Sequence, residues 1–256
     1  SRSDSIANVV KNAEELAAAG VKEIVLTGVN LGDFGKGPDG SGAALAVNGR
    51  EENFFQLIQE LDKVEGISRY RISSIEPNLL TNEIIEFVGN SDKFMPHFHI
   101  PLQSGSNKTL AAMRRRYKRE LYAERVRLIK KRMPHCAVGV DVIVGFPGES
   151  EEDFQETFEF LHALDVSYLH VFTYSERDNT HALEIKPVVP VQVRHERNKA
   201  LRNLSYMKMQ YFTAQHSGQT RNVLFEHEDK NGMIEGYTDN YIRISVPRKE
   251  EWVNQI

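Results

Sequence analysis

The chain has 256 residues, 40% hydrophobic and 27% charged, with 36 acidic against 32 basic side chains and a formal net charge of −4. That balance predicts a soluble globular chain with a sizeable core and excludes a uniformly basic nucleic-acid binder. No apolar run reaches the roughly 18–20 residues of a membrane span. The single cysteine, Cys136, excludes an internal disulfide framework and any iron–sulfur site that would draw three or four thiolates from these residues.

In chain order, the apolar positions Ile6, Val9, Val10, Ala13 and Leu16 recur at helical spacing and Gly20 stops the helix. EIVLTG (23–28) is a short, apolar, buried strand. A glycine-rich stretch between Phe34 and Asn53 predicts a flexible loop or small hairpin over a pocket mouth. Helix 53–64, strand 69–77, helix 81–88 and strand 97–105 follow, then helices over 106–116 and 119–132. Strand 137–149, helix 151–164 and strand 167–175 complete the alternation. Five strands separated by crossover helices predict right-handed parallel βα units, in an open sheet or a closed or partial barrel. Neither a GxGxxG nor a GxxxxGK[ST] motif is present, and polar or glycine-containing stretches end every strand, which favours the barrel.

The expected division is a βα barrel over 1–190, a connecting helix over 191–217 and an incomplete antiparallel β domain over 218–256. Ligands of parallel α/β folds bind where strand C-termini converge. Gln103-Ser104-Gly105-Ser106 is the best candidate by chemistry: a polar strand end, a glycine allowing close approach, then a helix start suited to a carboxylate or sugar. Ser106 also serves as an N-cap. Asp141, inside the apolar strand VGVDVIVGF, needs a partner, either an arginine or a cofactor. Phe146 with Pro147 and Gly148 can approach a base, or simply turn the chain. Glu76 can hold ribose hydroxyls or cap the next helix. His97 and His99, two apart on a strand, are expected to line the core rather than to hold a metal, and no metal ligands are assigned. Residues 108–132 carry eleven basic side chains against Glu120 and Glu124. Within them Arg114, Arg115, Arg116, Lys118 and Arg119 are the candidate RNA contacts, the alternative being a solvated face opposite the acidic helix 151–159.

The segments PLQSGSNKTLAAMRRRY (101–117), DVIVGFPGESEEDF (141–154) and HVFTYSERDNTHA (170–182), with EIVLTGVNLGDFG (23–35), resemble the methylthiotransferase family of radical S-adenosylmethionine enzymes. RISSIEP (71–77) is similar to the subgroup acting on N6-threonylcarbamoyladenosine beside the tRNA anticodon. The resemblance implies a partial TIM-like βα barrel, S-adenosylmethionine and [4Fe–4S] clusters as cofactors, a TRAM RNA-binding domain whose first part begins near Gly218, and a cytoplasmic location. It implies the tRNA anticodon stem-loop and an electron-donor protein as partners, with no membrane. It points Thr27, Gly28, Asn30, Ser74, Glu76, Gln103, Ser104, Asp141, Phe146, Phe172, Tyr174 and Arg177 at the cofactor. The family's CxxxCxxC loop is not among these residues, so this stretch by itself is expected to be inactive. Two other readings stay open: a methylthiotransferase acting on a ribosomal-protein aspartate, and a cluster-free βα module binding nucleotide or RNA.

Overall fold

The computed structural model describes residues 3–36, 46–47, 50–230 and 232–256. Ser1 and Arg2, most of the glycine-rich stretch and the turn residue Asn231 lie outside them. Five parallel-sheet strands, β1 (Glu23–Leu26), β4 (Arg69–Ser74), β5 (Phe94–Gln103), β6 (Ala137–Val144) and β7 (Tyr168–Thr173), occur in the order β1-β4-β5-β6-β7. Short strands β2 (Ala46–Val47) and β3 (Arg50–Glu51) pair antiparallel, so the expected small hairpin is present in part. The strand order follows chain order, as a run of right-handed βα crossovers requires, and gives the partial-barrel topology of the parallel α/β class.

The helices start where local chemistry places them. Ser5 accepts the Asn8 amide at the head of α1 (Ile6–Ala18). Asn53 and Gln56 form a capping box on α2 (Phe54–Asp62). Thr81 caps α3 (Asn82–Asn90), so Glu76 does not, and Ser106 caps α4 (Asn107–Ala112). Helix α5 (Arg119–Arg132) gathers Lys130, Lys131 and Arg132 in its last turn, a favourable place for cations on the helix dipole. Helix α6 (Glu151–Ala163) begins with a Ser150–Asp153 capping box, and α7 (Val191–Gln215) runs 25 residues.

Two compact units divide the chain: residues 1–75, 79–98 and 218–256 form one, and residues 76–78 and 99–217 the other. In the first, β1 pairs with β4 in parallel register, Glu23 opposite Arg69 and Leu26 opposite Ile72. The expectation that β1 is buried is corrected: Val25 is 51% exposed, because β1 ends the sheet order and has one neighbour. The tail forms a meander of β8 (Val223–Lys230), β9 (Met233–Thr238) and β10 (Arg243–Pro247). Two buried arginines of β4 tie it down. Arg69 donates to the carbonyls of Tyr237 and Asn222, and Arg71 to those of Asp239 and Thr238 and, through Nε, to Glu23 Oε1 at 2.7 Å.

In the second unit, β6 and β7 run parallel with Asp141 opposite His170 and Ile143 opposite Phe172. Helix α7 does more than connect. Ser205 accepts the Leu169 amide and donates to the Leu169 carbonyl, and Asn198 donates to the Val171 carbonyl. It therefore satisfies the open backbone edge of β7, which would otherwise be a template for unwanted pairing.

Candidate functional site

Gln103, Asp141, Phe146, Phe172, Tyr174 and Arg177 line one cavity of about 540 Å³, together with Arg114 and Arg115. Its size suits a small-molecule ligand. All of these residues belong to the second unit. Strand alternation places Asp141 and Ile143 on one face of β6, and His170, Phe172 and Tyr174 on the same side of β7. Phe172 is not packed into the core; it is 52% exposed. Phe146 and Tyr174 meet edge to face at 5.4 Å. The Tyr174 hydroxyl and Arg115 Nε are both buried without a hydrogen-bond partner among the described residues, and a polar ligand is one way to satisfy such groups.

The loop after β5 divides its labour. Gln103 sits at φ 70° and lines the cavity. Ser104 is buried against Thr157 at 3.2 Å, Gly105 donates its amide to Thr157 Oγ1, and Ser106 donates to Asp153 Oδ1. Ser104 is thus spent on α6 and does not line the cavity. A side chain on Gly105 would meet the Thr157 backbone at 2.7 Å, so glycine is needed for helix packing. Asp153 closes the network, accepting from Lys108 at 2.7 Å and from the Ser150 amide at 2.9 Å. Burial alone would raise its pKa, but these hydrogen bonds outweigh it and bring it down to about 2. A carboxyl depressed in the folded state lends stability above its unfolded pKa near 4 and loses it as pH falls toward 2. Urea titrations at pH 6 and pH 3 are expected to differ by a further ~1 kcal/mol in wild type relative to Asp153→Asn, since the folded-state carboxyl is still mostly ionised at pH 3.

Glu76 accepts from Arg115 Nη1 at 2.9 Å. Among the basic candidates, Arg114 and Arg115 line the cavity, while Arg116 and Lys118 are exposed. Arg119 is instead committed to structure: it donates to the Gly105 carbonyl, pairs with Glu156 and lies over Phe160. The acidic helix therefore takes up one member of the cluster. Thr27 and Gly28 are exposed, Asn30 donates to Asp33 Oδ2 at 2.9 Å, and Ser74 ends β4 half-buried. These four belong to the first unit and the cavity lining to the second.

Of the two partners left open for Asp141, the arginine is not found among the described residues; two histidines meet it instead. His99 Nε2 lies 2.7 Å and His170 Nδ1 3.3 Å from Asp141 Oδ1. Burial would raise the Asp141 pKa, yet the bonds from His170 and His99 outweigh it and bring it down to about 2. The expectation that His99 lacks further ligands nearby is thereby corrected. His97 takes no part; it is buried and stacks on Tyr241 at 4.2 Å.

Sequence reasoning also passed over Arg194 and Arg197. Arg194 donates to the carbonyls of Val189 and Tyr174 and pairs with Glu176 at 2.6 Å. Arg197 pairs with buried Glu149 at 2.6 Å, and Glu149 accepts the Gly145 amide. The pair anchors the two loops that carry Phe146 and Tyr174. Their signal was the spacing 194, 197, 201, 204, which extends the apolar stripe of Leu201 and Leu204 along α7.

A parallel βα sheet with a cavity at its strand ends defines a partial α/β barrel, and the comparisons give the family. Residues 1–161 match the Radical SAM superfamily, and the chain belongs to it. Coproporphyrinogen III oxidase from Escherichia coli, a radical SAM enzyme, has the same fold at a TM-score of 0.53 and 14% identity, over 80% of this chain and 46% of that one. More particularly, the chain is 40% identical to the threonylcarbamoyladenosine tRNA methylthiotransferase MtaB of Bacillus subtilis, over 100% of this chain and 55% of that protein. MtaB of Aquifex aeolicus is 40% identical, over 95% and 55%. The tRNA-2-methylthio-N(6)-dimethylallyladenosine synthase of Clostridium tetani is 35% identical, over 93% and 51%. The chain spans about half the length of these curated relatives. No helix among the described residues is long and apolar enough to cross a membrane.

The residues present do not fit an iron–sulfur cluster. Such a centre needs several thiolates, and Cys136 is the one cysteine, fully buried with its thiol against the Ala137 carbonyl. S-adenosylmethionine does fit: the cavity combines three aromatic rings, an amide and cationic groups beside buried polar atoms that lack partners among the described residues.

Proposed function

We propose that this chain is the cofactor-binding barrel of a tRNA methylthiotransferase acting on N6-threonylcarbamoyladenosine beside the anticodon. The observation that carries the reading is the cavity itself, where Gln103, Phe146, Phe172 and Tyr174 meet Arg114, Arg115 and Arg177. The rings suit an adenine face, and Gln103 and the arginines suit ribose hydroxyls and a carboxylate. When bound, S-adenosylmethionine supplies the 5′-deoxyadenosyl group on which the superfamily's chemistry rests. This chain's own residues seat it, exclude water around the adenine and hold the loops in place through Arg194 and Arg197. Similarity to two threonylcarbamoyladenosine enzymes at 40%, against 35% for a dimethylallyladenosine enzyme, supports the narrower substrate. Arg114, exposed at the cavity, and exposed Arg116 suit tRNA phosphates, and residues 218–256 are read as part of the RNA-gripping domain. On this reading the protein works in the cytoplasm, with an electron-donor protein and tRNA as partners.

Calorimetric titration tests the seat. S-adenosylmethionine is expected to bind the wild-type chain, and Phe172→Ala to weaken it roughly tenfold or more, about 1–3 kcal/mol for a missing stacking partner. Absence of binding by well-folded wild type refutes the seat. For RNA, Arg114→Glu with Arg116→Glu is expected to lower the salt slope of tRNA affinity by about one for each phosphate no longer neutralised; an unchanged slope removes these residues from the interface.

A further inference from the structure

His99, Asp141 and His170 stand on the three neighbouring strands β5, β6 and β7. Register sets Asp141 directly opposite His170, and His99 is four residues before Gln103, on the face of β5 that carries this cavity residue. The two imidazole nitrogens converge on the same carboxylate oxygen, and one ligand atom from each residue lies within 4.8 Å of the others. Ligands about 2.0–2.2 Å from a tetrahedral ion are about 3.4 Å apart. The observed 2.7 Å therefore needs to open by about 0.7 Å and the 3.3 Å by about 0.1 Å, with the two imidazole nitrogens, within 4.8 Å of each other, drawn to the same spacing. Asp141 pairs with no lysine or arginine among the described residues, and its side chain is only 18% exposed, a setting in which a divalent cation would be a direct counter-charge.

We propose that His99, Asp141 and His170 form a zinc site with three protein ligands and a fourth position open to the cavity that Asp141 also lines. Two imidazoles and one carboxylate with an open position is the donor set of a reactive rather than a purely structural zinc centre. His170, half exposed, gives the ion a route from solvent. The tilted Tyr168 ring, 5.2 Å from His170, and the perpendicular His99–His170 pair at 5.0 Å fix the imidazole planes. The proposal does not depend on which cofactor or nucleoside fills the cavity.

The test strips the purified chain with a chelator and titrates it with cobalt(II), which reports its coordination through visible d–d absorption, and then with zinc. Wild type is expected to take up one equivalent of cobalt with the intense bands of a four- or five-coordinate ion, and zinc to displace it. His99→Ala, Asp141→Asn and His170→Ala are each expected to weaken zinc by at least about 100-fold, since losing even an outer partner costs 10–100-fold. Cys136→Ser, remote in chemistry, is expected to bind like wild type. Circular dichroism checks that each variant is folded, and zinc is expected to raise the melting temperature of wild type but not of His170→Ala. Only octahedral cobalt spectra, or binding that persists unchanged in folded His170→Ala and Asp141→Asn, leaves a hydrogen-bonded trio and overturns the site. Should S-adenosylmethionine binding fail while cobalt binds as described, the cofactor reading falls and the metal site stands.

Discussion

Replacing Arg71 with leucine is expected to cost about 3–5 kcal/mol of stability, the range for breaking a buried ion pair by removing one partner. Arg71 is 1% exposed and spends its whole guanidinium inside the first unit. Nε and Nη2 grip Glu23, Nη1 holds the Asp239 carbonyl, Nη2 also holds that of Thr238, and the plane lies over the Tyr241 ring at 5.2 Å. Leucine would orphan the Asp239 carbonyl, leave that of Thr238 with the Tyr241 amide, and leave Glu23, among the described residues, with the long 3.8 Å approach to Arg69. The loss is a large part of the 5–15 kcal/mol that a typical domain has. Urea denaturation measures it, and amide exchange should show β8–β10 losing protection first, because both carbonyls belong to that meander. Glu23→Leu combined with Arg71→Leu should cost less than the single change, since no charge is then stranded. A single-variant loss below about 1 kcal/mol would mean the pair behaves like a surface ion pair.

Arg197→Ala is expected to be comparably damaging in the second unit, again by about 3–5 kcal/mol at neutral pH. Its partner Glu149 is 6% exposed, and burial raises the Glu149 pKa against the opposing pull of the Gly145 amide and Arg197. Without Arg197 that pull is weaker and the carboxyl favours its protonated form further. A carboxyl raised in the folded state is tolerated while protonated and costs stability as pH rises through its folded pKa. The deficit of Arg197→Ala should therefore be larger at pH 8 than at pH 5, and adding Glu149→Gln should recover part of it. The variant should also weaken S-adenosylmethionine, because Glu149 closes the Gly145–Phe146 turn at the cavity. A deficit that does not change with pH would exclude a stranded carboxylate as the cause.

Periodicity and punctuation carried most of the architecture. Five apolar runs separated by capped amphipathic helices became β1, β4, β5, β6 and β7 in a single parallel order. Ser106 behaved as the N-cap that its position before an apolar turn suggests. Strand ends were overextended: strand 137–149 stops at Val144, because Gly145, at φ 76°, and the following Pro-Gly turn the chain. Among site residues, Gln103 and Phe146 could be read as strand-end groups, Asp141 as a polar group inside a strand, and Phe172, Tyr174 and Arg177 from the family resemblance; all six share one cavity. Ser104 could not be separated from them by sequence. Its burial depends on Thr157, 53 residues away on α6.

The alternation of strand and helix, the Ser106 cap, the single thiol and the resemblance to the radical SAM family were determined by the sequence alone, because each depends on local periodicity, one turn or one motif. Side-chain partnerships were decided only in three dimensions. Asp141 met two histidines, Arg119 turned inward to α6, and Arg194 and Arg197 of the connecting helix became buried anchors. The physical reason is that a charged side chain has the same local propensity whether it meets water or a buried counter-charge. Which it meets is set by elements distant in sequence, through packing and the cost of leaving a charge unpaired.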